Sequence, residues 1–184
     1  ALPYAGIART AGPRPEEQVL MFSARPSSYT VATSTNLLYG ARSEPRGRPE
    51  RRLFTGILPL LLGVAGLLLR RPTQAAMVYL LMLALAFEMS LGLYGYSFTF
   101  LYTWVPGFGG LRAAARLGIF VAFFLALLAA WGHAAIEEAV APAAAGGRRA
   151  RAAALAAAIC GVLLLEYWVA PLRLAPSPNR APQL

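Results

Sequence analysis

The chain has 184 residues, 58 % of them hydrophobic and 14 % charged, with a mean hydropathy of +0.54. A soluble domain carries about 25 % charged residues, so this composition excludes an ordinary water-soluble fold and points to the membrane class. The net charge of +9 comes from 17 arginines and no lysine, against eight glutamates and no aspartate.

The arginines cluster beside apolar runs instead of sharing one polar face. That pattern suits lipid headgroups and span flanks better than nucleic acid, and no nucleic-acid partner is expected. Cys160 is alone, so no intrachain disulfide can form. No basic–apolar–small signal peptide opens the chain. The sequence reads as the C-terminal part of a longer polytopic protein.

Residues 1–52 are rich in Pro, Ser, Thr and Arg and lack a run able to cross a bilayer. They are expected to form a mostly irregular extramembrane segment. Glu16 to Ala24 can make about two helical turns, and Tyr29 to Tyr39 has the β-branched content of a short strand or extended piece. Gly40 to Arg52 is a loop by its Pro, Gly and charge.

A four-helix transmembrane region follows over 53–170. The first span, 53–69, holds eight leucines and no charge. Its length of about 26 Å just matches the hydrocarbon core. Pro59 is a candidate kink, and Arg70, Arg71 and Pro72 close the span. The second, 75–93, is interrupted by Glu88. A central charge costs about 2.5–3.5 kcal/mol, which six leucines largely offset.

Between the second and third spans lies the loop Tyr94 to Arg116. Aromatic residues occupy every second position from Tyr94 to Trp104, the period of an extended segment with one apolar face. A Pro-Gly-Phe-Gly-Gly turn and two arginines follow. The third span covers about 113–135, with an apolar body from Leu117 to Trp131. A basic connector, 141–151, leads to a fourth span at 152–169, ending in Glu166, Tyr167 and Trp168 as an interfacial anchor. The tail 171–184 is proline-rich and extended.

With four spans, the two short basic turns share one side and the aromatic loop lies on the other. Those turns are nearly free of carboxylates, the cytoplasmic pattern, so residues 94–112 are assigned outside the cytoplasm.

Arg112 and Arg116 stand four residues apart, on one face of a helix that starts near them. Under backbone amides at a helix N-terminus they can bind a phosphate. Equally, they can anchor the helix to headgroups or pair with Glu88. Glu88 is either a base or substrate contact, or a structural partner for an arginine. His133 is the single histidine and has no ligand-spaced neighbour, so no metal site is expected. Without Asp no Ser-His-Asp triad can form, and without Lys no phosphate-binding loop of the G-x-x-x-x-G-K type.

The segment VPGFGGLRAAAR resembles the VPGF-x-GLR-x-PAR stretch near the end of bacterial multi-spanning glycosyltransferases of the GT-C class. FSARPSSYTVATSTNLLYG is similar to their extracytoplasmic SA…Y…N-LYG segment, and ERRLFTGILPLLLGVAGL to the LFPG-type start of their next span. The likeness covers about residues 15–135, with Ala114 and Thr55 standing where the pattern has Pro. It implies a polyprenyl-phosphate-linked sugar as donor substrate and an acceptor outside the cytoplasm. It also implies a catalytic aspartate in an upstream loop, which this Asp-free chain does not contain. No resident cofactor is implied, and a divalent metal would have no site in this chain. The partners implied are the bilayer of a bacterial inner membrane, the lipid-linked sugar and upstream transmembrane helices. The alternative is a non-catalytic integral membrane protein, a transporter or assembly subunit.

Overall fold

The structure, a computed structural model, describes residues 14–42, 49–140 and 147–170. The tail 171–184 and connector residues 141–146 lie outside the described residues. Among those described the chain is all-helical and has no strand. The helices are α1 (Glu16–Met21), α2 (Ile57–Leu69), α3 (Gln74–Ser90), α4 (Tyr96–Trp104), α5 (Gly118–Val140) and α6 (Arg148–Glu166).

Helices α2 and α3 both pack along α5, the longest of the set at 23 residues. Its buried positions, Gly118, Val121, Leu125, Leu128, Ala129, Gly132 and Ala135, recur every three or four residues and form one stripe. Pro59, Leu62, Gly63 and Gly66 are the matching buried positions of α2. Backbones touch where the glycines meet. A Cβ built on Gly66 would stand 2.6 Å from the Gly132 Cα, and one on Gly132 would overlap the Leu62 carbonyl oxygen. Small residues at a crossing allow this approach, as in lipid-embedded helix pairs. At the far end of the pair, Arg70 bridges to Glu138 at 3.2 Å, which fixes α2 and α5 as parallel. Helix α6 touches both only lightly, and its last residues return to the start of α2.

Of the four expected spans, one meets the length and composition needed to cross a membrane: Ala114–Val140, which counts α5 with its 3₁₀ lead-in. The others are corrected for identifiable reasons. The expected 53–69 helix begins only at Ile57, because Gly56 sits at φ +87°, a conformation that a helix cannot pass through. Its 13 residues rise about 20 Å. Pro59 falls in the first turn, where its missing N–H has no intrahelical acceptor to lose, so it does not act as an interior kink. The expected 75–93 helix runs 74–90, begun by the Thr73 hydroxyl accepting from the Ala76 N–H and ended before Gly92 at φ +57°. The third expected helix, 113–135, runs 118–140 behind a 3₁₀ turn at Ala114–Leu117. The fourth, 152–169, runs 148–166, so its first turn carries arginines instead of apolar residues.

Two extended readings are also corrected. Residues 29–39 form no strand: Pro26–Thr30 is a 3₁₀ turn, and the Asn36 Oδ1 accepts from the Leu38 and Tyr39 amides to make a tight turn. A single bridge, Asn36 with Val169, is the remaining β-like feature there. The alternating aromatic run is helix α4. A step of two residues along a helix turns the side chain by about 200°, so alternation sorts onto two opposite faces. Phe98 is fully buried, whereas Tyr96 and Trp104 are 92 % and 72 % exposed. Phe98 forms a small second core with Val19 of α1 and Ala114, closed by Tyr102 and Phe108.

The N-terminal segment lies across this aromatic end of the bundle. Its backbone is pinned by Arg14 N–H to Gly109 C=O at 2.9 Å, Ala24 N–H to Ser90 C=O at 3.0 Å, and Ala115 N–H to Phe22 C=O at 3.0 Å. The Tyr29 phenol meets the Ser90 hydroxyl at 2.7 Å. Ser90 gives its own hydrogen to the Phe87 carbonyl, so Tyr29 is the donor. Burial pushes the Tyr29 phenol above its usual range.

Candidate functional site

Arg112 and Arg116 do not share a helical face. Arg112 stands in the non-helical link before the 3₁₀ turn, and Arg116 stands within that turn. The fold nevertheless brings both to one cleft of about 520 Å³, walled by Phe22, Leu117 and Phe120. Cavities that hold small ligands run from about 300 to 1,000 Å³. The Arg112 guanidinium lies over the Phe22 ring, 4.2 Å from its centroid, a cation–π contact that orients the group while leaving its N–H donors available. Both arginines are exposed. Among the described residues no ion pair engages either of them. Glu50 also lines the cleft, so its local formal charge is two positive against one negative.

Chemically, the cleft offers two guanidinium forks beside aromatic walls. Such an arrangement suits an anion attached to an apolar body: the forks can pair with phosphate oxygens in bidentate fashion, and the rings cover the rest.

Glu88 belongs to a different local arrangement. Its Oε1 accepts from the Ser97 N–H at 2.8 Å, so the carboxylate caps α4 in place of an Ser, Thr, Asp or Asn at Gly95. The structure thus gives Glu88 an amide partner, not Arg112 or Arg116. Its Oε2 is buried without a hydrogen-bond partner among the described residues. Gly95 makes the approach possible, since a Cβ there would stand 2.8 Å from the Glu88 Oε1.

Glu166, read from the sequence as part of an interfacial anchor, is 3 % exposed. Its Oε1 accepts from the Ile57 N–H at 2.5 Å and from the Tyr39 hydroxyl at 3.3 Å, and its Oε2 from the Leu58 N–H at 3.2 Å. The neighbouring Tyr167 hydroxyl donates to the Thr55 carbonyl at 2.6 Å. Asn36 donates through Nδ2 to the Glu166 carbonyl at 2.7 Å. A helix end supplied from 109 residues away leaves one trace in the sequence: Thr55-Gly56-Ile57 begins an apolar helix, and Gly56 has no side chain with which to cap it.

His133 gathers no ligand set. Among the described residues no group of three or more His, Cys, Asp or Glu side chains is placed to hold a metal ion. No protein-family model, no curated protein and no solved structure matches this chain.

Proposed function

We propose that this chain is the C-terminal membrane portion of a GT-C-like glycosyltransferase, in which Arg112 and Arg116 hold the phosphate of a polyprenyl-linked sugar donor. The observation that carries the reading is the cleft itself, with two exposed guanidiniums against aromatic walls at the start of the longest apolar helix. Donor chemistry then divides naturally. The phosphate meets the arginines at the membrane boundary, the hydrocarbon stays in lipid, and the transferring base comes from an upstream loop.

Multi-pass embedding belongs to the same proposal. It is supported by the alternation of α2, α3, α5 and α6 between two ends, and by apolar side chains facing outward, such as Leu61, Leu68, Ile119 and Phe123. Only 33 % of the apolar window of the longest helix is buried within the protein, whereas the core helix of a soluble protein is mostly buried. Helices shorter than the hydrocarbon core are accommodated by local thinning of the bilayer and by interfacial side chains at their ends.

In the full-length protein, Arg112→Ala and Arg116→Ala are each expected to weaken donor binding by about 10- to 100-fold, the loss of one charge-assisted phosphate contact. Expression and membrane insertion should be unchanged. Titration with a polyprenyl-phosphate sugar measures this; unaltered affinity in both variants would return the arginines to a headgroup-anchoring role.

A second reading is favoured by Glu88 and Glu166, both of which are used as helix caps. It is a non-catalytic membrane subunit whose polar residues serve assembly. Under it, the arginine variants leave donor binding unchanged.

Sidedness is tested at Gly110, which is exposed, has open space around its Cα and needs no positive φ. In a Cys160→Ser background, Gly110→Cys is expected to react with an impermeant thiol reagent added to intact spheroplasts. Labelling that requires lysis would invert the topology.

A further inference from the structure

A second cavity, about 560 Å³, lies where α2 and α3 diverge at the end covered by the N-terminal segment. Its back is Val121 and Leu125 of α5, both nearly fully buried. Leu60 and Leu83 form facing walls, and Tyr29 and Tyr39 rim one end. Leu60 and Ala84 are exposed, so the slot opens sideways between the two helices, onto faces that carry exposed Leu61, Leu81 and Leu85.

From these features we infer that the slot is a lipid site, taking one acyl chain of a bilayer phospholipid, with the ester end at the tyrosine rim. Polarity sets the orientation. Apart from Tyr29, Thr30, Tyr39 and Thr55 at the rim, every lining residue is apolar, and water there would find few hydrogen-bond partners. The tyrosines mark the boundary depth, with ring bodies toward the chain and hydroxyls already committed to Ser90 and Glu166. Size selects a chain over a helix. One turn of α-helix, about 10 Å across and 5.4 Å long, occupies roughly 400 Å³. The slot would therefore hold little more than a single turn, whereas a lone hydrocarbon chain enters lengthwise.

This site rests on the membrane embedding proposed above but not on the arginine cleft, so failure of donor binding leaves it standing. The test uses the full chain, reconstituted in phosphatidylglycerol–phosphatidylethanolamine vesicles with a phospholipid bearing a photoreactive group on one acyl chain. Crosslinks should concentrate on residues 80–87 and 121–125. They should fall by about tenfold in Ala84→Phe, which fills the slot from its exposed wall and leaves the buried stripe intact, and similarly in Leu60→Trp. Crosslinks around Leu68 and Ile119 on the outer faces should not change and serve as the internal control. Even labelling along all apolar faces, or labelling in the slot that both variants leave unaltered, overturns the assignment. Displacement of the slot crosslinks by a free isoprenoid alcohol, but not by excess phospholipid, overturns it in favour of an isoprenoid occupant.

Discussion

Glu166→Ala is expected to lower thermal stability in detergent by about 6–12 °C, the shift that ~3 kcal/mol produces in a chain of this size. The side chain is buried, and its two oxygens serve the Ile57 and Leu58 amides and the Tyr39 hydroxyl. Alanine leaves these donors without their acceptor inside the protein, and an unmade bond at a buried donor costs more than a made bond contributes. The α2 terminus also loses a negative charge where the helix dipole favours one. Glu166→Gln separates these contributions. Its amide oxygen can still accept from Ile57, but the amide nitrogen replaces an acceptor with a donor facing Leu58, so it should fall between wild type and alanine. Amide exchange at Ile57 and Leu58 should accelerate in both variants. An alanine variant melting within about 1 °C of wild type would remove the clasp from any role in stability.

The glycine crossing gives the second large effect. Gly132→Leu is expected to separate α2 from α5 and yield protein that is expressed but loses its cooperative melting. Even a bare Cβ at 132 overlaps the Leu62 carbonyl oxygen, and backbone cannot swing aside as the tip of a side chain can. Overpacking of this kind costs typically 1–3 kcal/mol, more where both partners are main chain. Two neighbouring glycines calibrate the measurement. A Cβ at Gly63 would lie 3.5 Å from the Leu128 Cβ, an ordinary contact, and Gly161 has nothing within 4 Å. Gly63→Ala should therefore be tolerated. Gly161→Ala should raise stability by about 0.5–1 kcal/mol through helix propensity. Melting curves for the three variants check the order; equal behaviour at 132 and 161 would show that the two helices do not meet at the glycines.

How much of this was legible in the sequence depends on the range of the interaction. The apolar runs announced α2, α3, α5 and α6, because burial or lipid exposure of a run depends on its own composition. Their ends were displaced by single backbone positions: Gly56 and Gly92 at positive φ, and Gly147, also at positive φ, which sets the start of α6 among arginines. The aromatic run was misassigned because a period of two is shared by a strand and by a helix with two contrasting faces. What decides for the helix is the Glu88 carboxylate at its N-terminus, nine residues from Ser97. Arg112 and Arg116 were singled out together and do line one cleft, although the expected shared helical face is absent. Arg112 packs over Phe22, and the Ala115 amide bonds the Phe22 carbonyl, contacts that no local pattern encodes. Glu166 shows the same limit, since its partners lie at positions 39, 57 and 58.

The clasp that ties residues 35–39 to 166–170 has a consequence for biosynthesis. As the ribosome releases the chain, the first amides of α2 emerge long before the carboxylate that will receive them. Loop closure over such a distance comes late in folding. A nascent intermediate with α2, α3 and α5 already formed would still expose the uncapped amides of Ile57 and Leu58 and leave residues 35–39 untethered. Only translation through Glu166 and Trp168 closes the ring, so a ribosome stalled just short of that point should leave a species open to proteolysis at residues 35–39.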